Sequence, residues 1–156
     1  MNAIKYLLFT LVVALVYSVN ATAGSWNTND KNVVLDGHDV VAYHTRDKAV
    51  KGSASNSASY DGVEFHFANA ENLAKFEADP AEYAPNFNTY YAFATAHHNA
   101  KVPANADTFK LYNGELLVFF NDLNKGKKFN TKIPWNGNEQ AMYSTAVTNW
   151  KTLEDK

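Results

Sequence analysis

Most of the chemistry open to this chain rests on five histidines: His38, His44, His66, His97 and His98. Imidazole can exchange a proton near neutral pH, and as a ligand it suits Zn²⁺, Cu²⁺ and Ni²⁺. The chain has no cysteine, which removes disulfides, thiolate metal sites and a cysteine nucleophile. No two histidines stand at the i, i+4 spacing of a helical chelate or the i, i+2 spacing of a strand chelate. His97 and His98 are adjacent, so on a helix they diverge by about 100° and do not grip one ion. The aromatic surplus is a second resource: Tyr90, Tyr91, Phe93, Phe119, Phe120, Trp135 and Trp150 could wall a pocket for an apolar or ring-bearing ligand. Phe93, Phe119 and Trp150 are better suited to plain core packing.

Motifs for catalysis are missing. Ser53, Ser55, Ser57 and Ser59 lie in a run of small residues with no G-x-S-x-G elbow. No H-x-x-x-H, glycine-rich phosphate loop or dinucleotide fingerprint occurs. Glu71, Glu77, Asp79 and Glu82 share a helical region and read as a solvated face. The expectation is a protein that binds rather than catalyses.

The elements that must position these residues come from 156 residues, of which 46% are apolar, 14% aromatic and 19% charged. That apolar share is enough for one packed domain. A formal net charge of −2 argues against a broad nucleic-acid surface. Lys5, the apolar run from Tyr6 to Val19 and the small-x-small pattern Ala21-Thr22-Ala23 form an export signal over residues 1–23, cleaved before Gly24. The run is shorter than the roughly 20 residues of a membrane span. The product is expected to be soluble in the periplasm or secreted, with no membrane association after cleavage. Residues 24–32 read as a polar leader and 33–153 as the domain.

Within the domain, Val33 to Leu35 is a short apolar run closed by Asp36-Gly37. Thr45 to Ser59 is polar and small, and reads as loop with at most a short strand. Ser59-Tyr60, Asp61-Gly62 and Val63–Phe67 make a hairpin, with Val63, Phe65 and Phe67 on one face and Glu64 and His66 on the other. Asn69 can cap a helix carrying Leu73 and Phe76, which Asp79-Pro80 ends. Tyr83 then packs back on the hairpin. Alanines 92, 94, 96 and 100 favour a helix before a second hairpin, Phe109–Tyr112 and Leu116–Phe120 around Asn113-Gly114. Asp122–Phe129 reads as a basic helix, Ile133-Pro134-Trp135 as a loop, and Asn138 as the cap of a final helix carrying Met142, Ala146, Trp150 and Leu153. The fold class is α+β, a small single domain with two hairpins and several short helices.

The ordered set Tyr60-Asp61-Gly62, Phe65-His66-Phe67, Ala70-Glu71-Asn72, Phe76, Asp79-Pro80 and Tyr83-Ala84-Pro85 resembles the YHS domain. With Leu35–Tyr43, Lys51-Gly52-Ser53 and Asn149-Trp150, the chain is similar to exported bacterial YHS domain-containing proteins. The resemblance implies a core related to metal-binding treble clefs and a role in metal handling. It also implies cysteines at places that fall on Ala42, Ala68 and Asn72, and in the exported branch on Tyr91. All four lack sulfur here. His38 and His44 flank Ala42, and His66 lies two residues before Ala68. The expected metal site is therefore His38, Asp39, His44 and His66, holding Cu²⁺ or Zn²⁺. The alternative is a metal-free interaction or small-ligand module with a pocket at Tyr90, Tyr91, His97 and His98.

Overall fold

The computed structural model describes residues 25–156; the export signal read over residues 1–23 lies outside them. The elements are α1 (Val40–Arg46), β1 (Ser53–Tyr60), β2 (Val63–Phe67), α2 (Ala70–Ala78), α3 (Pro80–Tyr83), α4 (Ala92–His98), β3 (Asn105–Tyr112), β4 (Glu115–Phe119), β5 (Asn121–Asn124), β6 (Lys127–Asn130), α5 (Lys132–Asn136) and α6 (Glu139–Leu153). The strands form three antiparallel hairpins, β1–β2, β3–β4 and β5–β6. The mixed α+β class holds. No helix among the described residues is long and apolar enough to cross a membrane.

All three hairpins close on a pair of left-handed residues, at φ of 50° and 80° for Asp61-Gly62, 53° and 84° for Asn113-Gly114, and 52° and 77° for Lys125-Gly126. This primed turn matches the right-handed twist of the strands. The third hairpin replaces the basic helix expected over Asp122–Phe129. Lys-Gly is a weak turn signal because only its glycine favours a positive φ, yet Asn121 pairs with Asn130 and Asn124 with Lys127. Two more expectations are corrected. Ser53–Tyr60 is a full strand rather than mostly loop, drawn into register by β2 through Ser57↔His66 and Tyr60↔Val63. Ile133-Pro134-Trp135 lies within the short helix α5, with Pro134 in its first turn, where its missing N–H costs no hydrogen bond. Asn138 precedes α6 as expected, but its backbone carbonyl, not its side chain, receives the first helical bond, from Met142.

Strand β4 divides the interior. Leu116 and Val118 enter one core with Val34, Val40, Val41, Tyr43, Phe65, Phe67 and Phe76. Leu117 and Phe119 enter another with Phe87, Ala92, Phe93, Trp135 and Ala146. Successive strand residues face opposite ways, so one buried strand serves both. In the first core, Phe76 of α2 lies 4.8 Å from Phe65 and 5.0 Å from Phe67, ring centre to ring centre. The helix after the first hairpin thus folds onto it. Residues of the leader are tied down: Trp26 donates to Asp61 Oδ2 at 2.8 Å, and Asn27 N–H to the Asn88 carbonyl at 3.0 Å.

Candidate functional site

Asp39 is completely buried. It caps α1, with Oδ1 accepting from Val41 N–H at 2.9 Å and Ala42 N–H at 3.2 Å. Oδ2 accepts from Ala68 N–H at 2.8 Å and from the Asn72 side-chain amide at 2.7 Å. A carboxylate so capped satisfies one helix start, the end of β2 and the first turn of α2 together. Three of its four donors belong to Ala42, Ala68 and Asn72, the places where the resemblance puts thiols. These three places converge, and a carboxylate stands at their meeting point.

The histidines expected around it turn elsewhere. His38 Nδ1 lies 2.8 Å from the Leu35 carbonyl. His66 points its Nε2 at Glu64 Oε1, 2.5 Å away, while a Cβ built on Gly37 would stand 3.0 Å from its Nδ1. Backbone closeness is tighter still at Gly52, where a Cβ would stand 2.5 Å from the His66 carbonyl carbon. His44 lies on α1 with its ring edge-on to Tyr83, 5.3 Å centre to centre. Its Nε2 is buried with no hydrogen-bond partner among the described residues. Burial pushes its pKa below the ordinary imidazole value, against a smaller opposing pull from Glu82. The described residues contain no group of three or more histidine, aspartate or glutamate side chains placed to hold a metal ion. His38, Asp39, His44 and His66 as arranged do not fit one: both carboxylate oxygens are occupied by N–H donors, and the three imidazoles have separate neighbours.

Across β4 the surface opens instead. A cleft of about 260 Å³ is lined by Tyr91, His98, Val102, Phe120, Asn124 and Phe129. Each part follows from local structure. Tyr91 is the residue before α4, so its ring is not buried with Phe93 and Ala94 inside the helix. His98 is the last residue of α4, where Asn99 in the left-handed region stops it. Asn124 and Phe129 share a face of the third hairpin, because Asn124 pairs with Lys127 and side chains two apart point the same way. Tyr91 and Phe120 lie 6.0 Å apart at 39°. Burial raises the Tyr91 hydroxyl above the usual phenol pKa, so it stays a neutral donor.

Of the four residues expected in this pocket, Tyr91 and His98 line it. His97 stacks on Phe93 at 5.1 Å and 12°, and meets His98 at 4.7 Å. Tyr90 turns away, its ring 6.3 Å from Trp150 with the Lys101 ammonium over both. A helical reading of 122–129 does not put Phe129 and Asn124 on one face, and no motif singles out Val102. The available signal was Gly126 flanked by alternating residues. Another hollow, of about 250 Å³, is lined by Asn27–Asn29, Leu35, Asp36, Pro103, Ala104 and Ala106. Its one carboxylate, Asp36, is already bound by Lys51 and Asn29.

Residues 41–86 match the family model of the YHS domain. The matched segment runs from α1 through α3 and holds Ala42, Ala68 and Asn72. No curated protein and no solved structure matches the chain.

Proposed function

We propose, for a chain whose residues 41–86 match the YHS domain, an exported, non-catalytic binding protein. The segment that matches the YHS domain serves as a base, and the aromatic cleft across β4 takes a small ring-bearing or apolar ligand. The observation that carries this is the cleft itself: Tyr91, Phe120 and Phe129 supply apolar walls, while His98, Asn124 and the Tyr91 hydroxyl supply a few polar contacts. Binding sites for small molecules have this make-up. Export rests on the sequence pattern of residues 1–23. The test is titration with 1-anilinonaphthalene-8-sulfonate, whose fluorescence rises in apolar clefts. Saturable binding that Tyr91→Ala abolishes supports the assignment. No saturable binding, or binding indifferent to Tyr91→Ala, ends it.

A metal-handling role is the second reading, and the YHS match favours it. It would require His38, His44 and His66 to leave their present neighbours and converge. Calorimetric titration with Cu²⁺ or Zn²⁺ decides it. Saturable binding lost in a His38→Ala/His66→Ala variant supports metal handling, and a flat titration removes it.

A further inference from the structure

The third hairpin has a surface unlike the rest of the molecule. Leu123 is 65% exposed, Phe129 40% and Ile133 70%, and these are the large apolar side chains left open among the described residues. They fall within eleven residues. Interleaved with them are Lys125, Lys127 and Lys128, all exposed, and Lys132, half-buried, against the single acidic residue Asp122. This net positive stretch belongs to a chain whose formal net charge is −2, so the acidic excess lies elsewhere. Cross-strand pairing sets Leu123 opposite Lys128 and Asn124 opposite Lys127. Both faces of the hairpin therefore carry an apolar group with a cation nearby.

We propose that the β5–β6 hairpin and the start of α5 dock on an anionic phospholipid surface. Leu123 and Ile133 enter the headgroup region, and Lys125, Lys127 and Lys128 meet the phosphates. Charge complementarity selects this occupant: a negative surface attracts clustered lysines, strengthening binding about fivefold per lysine. Shape argues the same way. Leu123 and Ile133 stand open to solvent and line neither hollow, unlike Phe129, and the cations are flexible lysines. A protein partner would instead be met by aromatic and arginine anchors in a pocket. A planar bilayer accepts protruding apolar groups of any arrangement, provided their cations stay in the headgroups.

The absence of native cysteine allows a position-specific test on the whole chain. Leu123→Cys and, as a control on exposed α2, Glu77→Cys are each labelled with an environment-sensitive fluorophore. Each is then mixed with vesicles of phosphatidylcholine alone or with phosphatidylglycerol added. The expected result is a blue shift at position 123 only, with phosphatidylglycerol only, reversed by about 0.5 M salt, which shortens the Debye length to a few ångströms. Adding Lys125→Gln, Lys127→Gln and Lys128→Gln should weaken the response at least tenfold. An equal shift at position 77, an equal shift on neutral vesicles, or no shift at 123 overturns the proposal. So does a response at 123 to polyglutamate with none to vesicles, which would assign the patch to an acidic protein. The readout is independent of the cleft, because Tyr91→Ala is expected to leave it unchanged.

Discussion

The two sides of β4 handle their polar groups in opposite ways. On the side matched by the YHS model, the central polar group is Asp39, fully buried, with four N–H donors and no lone pair aimed at solvent. On the other side, Tyr91, His98 and Asn124 border an open cleft. A saturated buried network specifies a fold, whereas polar groups left facing a cavity are available to a guest. The difference teaches that the part of the chain most legible as a family is the part with least spare chemistry.

The contrast predicts that stability is lost on one side and binding on the other. The largest effect is expected for Asp39→Ala. It strands the Ala68 N–H and the Asn72 amide and removes a helix cap, and should cost on the order of 4 kcal/mol in urea unfolding. A loss below about 1 kcal/mol would mean the carboxylate does not organise this half. Gly52→Ala should cost about 2–3 kcal/mol, because its Cβ meets rigid backbone rather than a movable side-chain tip. Asn72→Ala removes one donor and keeps the cap, so about 1–2 kcal/mol is expected from the same measurement. Across β4, Phe129→Ser should change the unfolding free energy by less than about 1 kcal/mol, since that ring is 40% exposed. It should nonetheless weaken anilinonaphthalenesulfonate binding severalfold. A variant that unfolds the chain, or binds as before, would erase the contrast.

The smallest expected effect is a pH dependence. Folding depresses the His44 pKa, so the unfolded chain takes up the proton first. The contribution of neutral His44 is complete above the unfolded value of about 6.5 and is withdrawn as pH falls through it toward the folded value. Urea midpoints should therefore decline between pH 7.5 and 5.5, and His44→Gln should flatten that decline. An unchanged slope in the variant would place the pH dependence on another group.

How much was legible follows from how local each signal is. Asp61-Gly62 and Asn113-Gly114 announce their hairpins because both residues of each pair favour the left-handed region. Lys125-Gly126 adopts the same turn with half the signal, so the sequence of the third hairpin suits a helix as readily. Ser53–Tyr60 has few strand-forming side chains; pairing with β2 decides it, and pairing is non-local. For the site, the segments carrying Ala42, Ala68 and Asn72 do meet. Which side chain fills their meeting point was not readable from spacing, because Asp39 satisfies helix α1 first and reaches Ala68 and Asn72 only in three dimensions. The cleft was half legible through Tyr91 and His98, and lost its other wall with the misread hairpin.

Strand β4 carries a consequence for dissection of the chain. Leu116 and Val118 complete the hydrophobic floor beneath Phe65 and Phe67, yet they come thirty residues and more after the segment that matches the family model. A fragment cut to residues 41–86 would leave that floor missing and its phenylalanines bare to water. Expressed alone it should be insoluble or unstructured: the recognisable motif is a face of the protein, not a module that can be transplanted.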